Sequence, residues 1–443
     1  MAKPPPADDK APGQHGSGTA YIVHPELEKR QKADFEPSME DKLEEAIGLA
    51  EAIYLDVIGT KTARIKRAAP GYLLGKGNRE EIAGTVAYMK PDVVIVNHNL
   101  TPIQQRNLEK EWKAKVIDRT GLILEIFGQR AQTKEGRIQV ELAALEYQRS
   151  RLVRSWTHLE RQRGGLGKTG GPGETQIEMD RRLISDRIAR LKKDLEQVRK
   201  SRDLQRRSRE RTPFPIIALV GYTNAGKSTL FNKLTGAKVF AEDLLFATLD
   251  PTMRKLELES GQEVIFADTV GFIADLPTGL IAAFRATLEQ LQYADVILHV
   301  RDISRPDHEA QKAGVIEVLD ELDIDYAQDE RIIEVWNKTD ALPPADRQDA
   351  ARKAKFAENA FAISALTGEG TEELLAAIDG RLAAGKKTAL FRIPVSDGKA
   401  LAWLHQNANV TGSTDDDGYL KVEVEIDQAN IGRFTGRFSY EPL

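Results

Sequence analysis

A glycine-rich segment between a predicted strand and a predicted helix carries the clearest chemistry in this 443-residue chain. The apolar run 216–220 precedes it and the helix-forming run 229–234 follows it. Its eight residues read Gly221-Tyr222-Thr223-Asn224-Ala225-Gly226-Lys227-Ser228. A G-x-x-x-x-G-K-S segment in this context aims successive backbone N–H groups at phosphate oxygens. We predict that Lys227 contacts the β and γ phosphates of a nucleotide and that the Ser228 hydroxyl binds Mg²⁺.

A second motif, Asp268-Thr269-Val270-Gly271, ends a further apolar run at 264–267. A carboxylate at the carboxyl end of such a strand can lie in the shell of the Mg²⁺ ion beside the phosphates. We therefore place Asp268 beside the metal and predict that the Gly271 amide contacts the γ-phosphate.

Two later segments predict which base is bound. The first, Asn337-Lys338-Thr339-Asp340, follows a predicted strand at 331–336. The two oxygens of Asp340 can accept hydrogen bonds from N1–H and N2–H of guanine, a donor pair that adenine lacks. Lys338 is expected to lie along the base, and the segment Ile363-Ser364-Ala365 to supply a backbone amide for guanine O6. The ligands are therefore predicted to be GTP and GDP.

Between these motifs, the segment Phe246-Ala247-Thr248-Leu249-Asp250 occupies the place of a first switch and is predicted to contact the nucleotide. A threonine hydroxyl there can complete Mg²⁺ coordination when the γ-phosphate is present. We choose Thr248 over Thr252, although either could be an ordinary loop threonine. The predicted metal ligands are thus Ser228 and Thr248, and the predicted catalytic residues are Lys227, Thr248 and Gly271.

The residue after Gly271 is Phe272, where Ras-like enzymes have a glutamine that orients the attacking water. A phenyl ring cannot form that hydrogen bond. We therefore expect slow intrinsic hydrolysis and a partner that stimulates it.

The elements around these motifs suggest several domains. Residues 1–18 are rich in Pro, Gly, Asp and Lys and are predicted to be disordered. Residues 19–135 alternate apolar and helical runs, which predicts an α/β domain with a mainly parallel sheet. Its predicted strands are 21–23, 92–96 and 115–118, and its predicted helices are 39–53, 79–89 and one that Thr101 caps before Pro102. The segment 75–77, Gly-Lys-Gly, is predicted to form a turn before the helix at 79, with phosphate binding as the alternative.

Residues 136–212 are predicted to form a basic helical hairpin. Apolar residues at heptad spacing run from Leu142 to Leu159, broken by Arg149, and again from Ile184 to Val198. Between them, residues 163–173 contain six glycines, which predicts a mobile tip that is either a plain connector or a functional basic loop. The net charge of the chain is −5, yet residues 141–211 hold 19 Lys and Arg against 11 Asp and Glu. This excess predicts a surface for a polyanion.

The nucleotide motifs fall within 213–386, predicted to be a P-loop GTPase domain with a mainly parallel sheet. Residues 387–443 are predicted to be a small α+β domain, with strands at 390–395 and 419–426 and a helix at 399–407.

The chain has no cysteine, which excludes disulfides, thiolate metal sites and cysteine nucleophiles. With no run long enough to cross a bilayer, we expect a soluble, cytoplasmic protein with no membrane or DNA partner, acting as a monomer.

Taken together, these residues resemble the HflX family of translational GTPases, within the Obg–HflX superfamily, over about residues 20–443. The resemblance rests on Gly-Lys-Gly at 75–77, on Gly-Pro-Gly-Glu-Thr-Gln at 171–176 and on segments 221–228, 246–252 and 268–272. It implies a GTPase that binds the large ribosomal subunit and its RNA, and that splits or rescues stalled ribosomes under stress. Ribosome-stimulated hydrolysis would then release it. Some members also accept ATP through the N-terminal domain, but no second phosphate loop is visible here.

Two other functions stay open. An RNA-binding assembly or scaffold factor would turn over nucleotide only incidentally. A membrane or tRNA-modification GTPase is disfavoured because the sequence lacks an apolar span and a cysteine, respectively.

Overall fold

The computed structural model describes residues 18–27, 37–162, 172–209, 214–236, 246, 252–272, 291–357, 359–384 and 386–443. The described residues fall into two units. One lies within 1–129 and 144–183, and the other lies within 130–143 and 184–443. Within the part of the chain described, no helix is both long and apolar enough to cross a bilayer.

The first unit contains a four-stranded sheet. Its strands are β1 (Thr19–Leu27), β2 (Asp56–Ile65), β3 (Val93–Val96) and β4 (Lys115–Asp118), in the order β2-β1-β3-β4. Every pairing is parallel, as the alternation predicts. Its helices are α1 (Met39–Glu51), α2 (Lys76–Met89), α3 (Pro102–Trp112) and α4 (Arg119–Arg130). Strand β2 was not predicted from the sequence, because this edge strand is only partly buried and mixes polar with apolar residues.

The first turns of α3 and α2 begin at identifiable N-cap residues. Thr101 Oγ1 accepts the Gln104 N–H, and the Gln104 side chain accepts the Thr101 N–H, with Pro102 at the first position of α3 as predicted. The predicted start of α2 at residue 79 is wrong by three residues. Gly75 is its N-cap, so the Gly-Lys-Gly segment forms the helix start itself.

Two long helices follow, α5 (Lys134–Gln162) and α6 (Pro172–Arg209). On α6 the predicted apolar seam is buried at Ile188, Leu191 and Leu195, while most residues between them are exposed. Residues 163–171 of the predicted glycine-rich tip lie outside the described residues. Pro172 and Gly173 belong to α6, so the predicted loop ends two residues too late. Proline is well suited to a first helical turn because its missing N–H would have no partner there.

The second unit contains a six-stranded sheet with the order β10-β9-β8-β5-β7-β6. Its strands are β5 (Ile216–Val220), β6 (Thr252–Glu257), β7 (Glu263–Asp268), β8 (Val296–Asp302), β9 (Ile332–Asn337) and β10 (Ala360–Ala362). All pairings are parallel except that of β6 with β7. The helices described around it are α7 (Lys227–Thr235), α8 (His308–Asp320), α9 (Pro344–Phe356) and α10 (Thr371–Ala384). Apolar side chains from β5, β7, β8 and β9 form its core.

A three-stranded antiparallel sheet ends the chain. Its strands are β11 (Lys386–Pro394), β12 (Asn409–Asp416) and β13 (Tyr419–Asp427), in the order β11-β13-β12. Helices α11 (Gly398–Asn407) and α12 (Gln428–Phe438) pack on it around Phe391 and Phe434. The predicted α+β class is confirmed, whereas β12 and α12 were missed. The five-part division of the chain stays a prediction, and its last boundary falls one residue inside β11.

Candidate nucleotide site

The predicted nucleotide motifs lie together at one edge of the second unit's sheet. The phosphate loop, residues Gly221–Ser228, follows β5. The Asp268 motif ends β7, the Asn337 motif begins at the end of β9, and Ser364 follows β10. Because β5, β7, β9 and β10 run parallel within one sheet, their carboxyl ends share an edge, where open α/β sheets bind ligands.

Two glycines of the phosphate loop are required by close contacts. A Cβ on Gly221, whose φ is +149°, would lie 2.1 Å from the Val300 carbonyl oxygen. A Cβ on Gly226, whose φ is +91°, would lie 2.2 Å from Nδ2 of Asn337. The loop therefore packs on β8 and on the predicted base motif at distances that no side chain permits.

Lys227 is buried at the start of α7, and its ammonium points back into the loop. Its Nζ donates to the carbonyl oxygens of Gly221 at 3.1 Å and Tyr222 at 2.8 Å. Burial lowers the pKa of Lys227 to about 8, although the nearby Asp268 carboxylate opposes the shift. A bound polyphosphate would raise this pKa again by stabilising the ammonium, so this lysine suits a phosphate ligand.

Ser228 and Asp268, which the sequence predicts to lie beside a metal ion, are in contact with each other. Ser228 Oγ donates to Asp268 Oδ2 at 2.6 Å, and the Asp268 side chain is fully buried. A hydroxyl and a carboxylate oxygen at this separation fit the oxygen ligands that Mg²⁺ prefers. The neighbouring Thr269 plays a different part, because its buried Oγ1 donates to the Leu219 carbonyl and ties β7 to β5.

Backbone hydrogen bonds join the phosphate loop to the residue after Gly271. The Phe272 N–H donates to Gly221 O at 3.1 Å, and the Thr223 N–H donates to Phe272 O at 2.7 Å. A Cβ on Gly271 would lie 2.9 Å from Thr223 Cα and 3.0 Å from Lys227 Nζ. Gly271 is thus held against the loop. The Phe272 ring is 5% exposed and packs with Val220 in the core, so it presents no hydrogen-bonding group to the site.

Asn337 connects the phosphate loop to the segment that follows β10. Its Nδ2 donates to Ala225 O in the phosphate loop at 2.8 Å, and its Oδ1 accepts the Ala365 N–H at 2.9 Å. Thr339 adds a second link, because its Oγ1 donates to Ile363 O at 3.0 Å. These bonds hold the phosphate loop, the Asn337 motif and the segment after β10 together.

Asp340 and Ser364 lie side by side at the predicted base position. Ser364 Oγ donates to Asp340 Oδ1 at 2.5 Å and also accepts the Thr367 N–H at 3.1 Å. Lys338 lies next to them in the chain, and its ammonium pairs with the Asp302 carboxylate at 2.8 Å. The segment can therefore present one carboxylate and backbone amides to a base edge.

Not every predicted site residue is described. Ala247, Thr248, Leu249 and Asp250 lie outside the described residues, so the proposed switch threonine stays a prediction. Phe246 is buried, with φ of +56°. The exposed Asn224 and the buried Val270 both lie within the site segments. Asp302 was not among the predicted site residues, because the strand that it ends also contains His299 and Arg301, which are more typical of a surface segment.

Four family profiles match the chain in order. They are described as "GTP-binding GTPase N-terminal" over residues 40–128, "GTP-binding GTPase Middle Region" over 130–209, "50S ribosome-binding GTPase" over 216–338 and "HflX C-terminal domain" over 349–440.

Relatives of known name are similar over most of their length. GTPase HflX of Magnetococcus marinus is 50% identical over 401 residues, covering 90% of this chain and 91% of that protein. GTPase HflX of Escherichia coli is 42% identical over 393 residues, covering 88% and 90%. Putative GTP-binding protein 6 of Homo sapiens is 35% identical over 439 residues, covering 96% and 82%. With the site geometry, these similarities show that the chain is a GTP-hydrolysing enzyme that belongs to the HflX family.

Proposed function

We propose that this GTPase binds the large ribosomal subunit in its GTP form and that the subunit stimulates hydrolysis. The observation that carries the proposal is Phe272. Its buried ring leaves the position after Gly271 without a group that can orient water. An external partner then has to complete the catalytic arrangement. The profile matched over 216–338 describes a 50S ribosome-binding GTPase, which names the kind of partner.

The chain's own residues would bind and orient the nucleotide. Lys227 and the phosphate-loop amides would hold the β and γ phosphates, and the Gly271 amide would contact the γ-phosphate. Asp340 and the amide after Ile363 would hold guanine. Ser228 and Thr248 would ligate Mg²⁺, with Asp268 in its shell, and the ion would neutralise charge on the phosphates.

The charge distribution supports ribosomal RNA as the contact. Residues 141–211 hold 19 Lys and Arg against 11 Asp and Glu in a chain of net charge −5. Within this region, α6 exposes Arg181, Arg182, Arg190 and Lys193. Such side chains suit RNA phosphates. We assign the cytoplasmic task of splitting or rescuing stalled ribosomes under stress, with release after hydrolysis.

The test is steady-state GTP hydrolysis with and without purified large ribosomal subunits. Small subunits serve as the matched control, and ATP is run in parallel. We expect large subunits alone to raise GTP turnover at least about 10-fold, because a partner that supplies a missing catalytic group can be worth far more. Unchanged turnover would refute the proposed partner and leave the nucleotide site standing.

A scaffold factor with incidental turnover would behave differently in a binding assay. Its affinity for the large subunit would be equal with GDP and with a non-hydrolysable GTP analogue. The proposed switch requires tighter binding with the analogue, because a ligand shifts a two-state equilibrium only through unequal affinity for the two states.

A further inference from the structure

A buried carboxylate lies beside the base motif at the carboxyl end of β8. Asp302 is 4% exposed, and in the sheet register it is the partner of Asn337 on β9. Just beyond the strand, the Ile303 N–H donates to the Asn337 carbonyl at 3.2 Å. Asp302 is therefore fixed by the backbone to the segment that is proposed to select guanine.

The two oxygens of Asp302 have separate partners. Oδ1 accepts the Ser304 N–H at 3.1 Å and the Ser304 hydroxyl at 2.5 Å. Oδ2 lies 2.8 Å from the Lys338 ammonium. Because Ser304 holds one oxygen through two donors, the carboxylate plane is fixed and the other oxygen is aimed at Lys338.

We propose that Asp302 is a positioning residue for guanine recognition. It fixes the end of the Lys338 side chain, so that the aliphatic stem follows one path beside the base. A free lysine stem has many rotamers, and ordering it on binding would weaken affinity. This inference rests on the proposed assignment of Lys338 and Asp340 to the base.

The ion pair also acts on the backbone. Lys338 has φ of +62°, a left-handed conformation that is unfavourable for a lysine. The turn Thr339–Ala341, which carries Asp340, starts immediately after it. Holding the Lys338 side chain helps to keep this residue in the conformation from which the turn begins.

The experiment measures GDP binding and dissociation with a fluorescent GDP on the full chain. Asp302→Asn keeps the side-chain shape and removes the charge. We expect it to raise the Kd for GDP about 10-fold, mainly through faster dissociation, and to raise KM for GTP more than it lowers kcat. In a Lys338→Met background the same change is expected to alter Kd by less than about 2-fold, because the partner is already gone.

Asp329→Asn is the matched control. Asp329 pairs with Arg331 at 2.6 Å near the amino end of β9, and its loss should leave the Kd for GDP unchanged. Urea unfolding of each variant reports any general loss of stability. An Asp302→Asn protein that binds GDP like the wild type, or an equal effect in both backgrounds, would overturn the inference. Failure of the wild type to bind GDP would instead overturn the proposed nucleotide site.

Discussion

At the residue scale, the proposed selection of guanine depends on a single carboxylate, that of Asp340. Asp340 is oriented by Ser364 Oγ at 2.5 Å, and Ser364 is in turn held by the Thr367 N–H. A carboxylate accepts two donors from guanine, whereas a carboxamide in its place offers one donor and one acceptor. Exchanging the two groups should therefore change which purine is bound.

We predict that Asp340→Asn shifts preference from GTP to xanthosine triphosphate, whose C2 carbonyl accepts the new N–H. GTP affinity should fall at least about 100-fold, since a buried polar group would be left unpaired. Competition binding with the two nucleotides measures this. Asp346→Asn, in the first turn of α9, is the control that should change neither affinity. Unchanged GTP preference in Asp340→Asn would contradict the base assignment.

At this scale the sequence predicted which motif residues lie together, because each motif directly follows a strand. Lys227, Ser228 and Asp268 are contiguous with their strands, and the structure brings them together. The Val300 carbonyl behind Gly221 and the Asp302 carboxylate beside Lys338 could not be placed in the same way. Val300 is about 80 residues from Gly221 in the sequence, and Asp302 is about 36 residues from Lys338. Only the order of the strands in the sheet makes each pair neighbours.

At the scale of elements, β8 shows how a buried strand escapes prediction from sequence. All seven of its residues are buried, yet they include His299, Arg301 and Asp302. Arg301 donates to Glu334 of β9 at 2.7 Å and to Glu309 of α8 at 2.6 Å. Since the charges are neutralised by neighbouring elements, the strand tolerates residues that its own sequence marks as surface.

His299 should make this domain sensitive to acid. Burial, aided by Arg301, lowers the pKa of His299 to about 3, and its Nδ1 lies 2.7 Å from the Tyr326 hydroxyl. The unfolded chain binds the proton near pH 6.5 and the folded chain does not. The contribution of neutral His299 to the free energy of unfolding is therefore complete above pH 6.5. It is lost as the pH falls toward 3, at up to about 1.4 kcal/mol per pH unit.

Urea unfolding at pH 7.5, 6 and 5 tests this prediction. The His299→Gln variant should lose less stability on acidification than the wild type, whatever its stability at pH 7.5. His405→Gln, on the exposed end of α11, is the control and should keep the wild-type pH dependence. The pKa of His24 is likewise lowered by burial, to about 4, so part of the dependence should persist in both variants. If the free energy of unfolding falls equally with pH in the His299→Gln variant and in the wild type, His299 is not the source of the acid sensitivity.

At the scale of the whole molecule, ribosome binding should depend on salt through the exposed cations of α6. Counterions are released when cations meet RNA phosphates, so log affinity falls linearly with log salt. Replacing Arg182, Arg190 and Lys193 with glutamine should make that slope shallower by about one for each phosphate that is no longer neutralised. Replacing Arg352 and Lys353 of α9, which pair with Asp349, is the control. A slope that is already flat in the wild type would contradict RNA-phosphate binding.

Domain boundaries depend on packing across the whole molecule, whereas motifs are local. The two units divide inside α5, after residue 143, and inside α6, after residue 183. The predicted boundary at 135/136 follows a change in composition and stays a prediction. Composition is a local property, whereas a unit is defined by packing between distant segments. A long helix can thus belong to both units without any change in its sequence pattern.

Five glycines that belong to sequence motifs fall into two groups, which should respond differently to substitution. At Gly221, Gly226 and Gly271 a single added methyl carbon would meet Val300 O, Asn337 Nδ2 or Thr223 Cα at 2.9 Å or less. At Gly75 and Gly77 it would meet nothing within 4 Å. A library that randomises all five positions and selects for GDP binding should return the first three as glycine and allow other residues at the other two, even though both groups belong to recognisable sequence motifs.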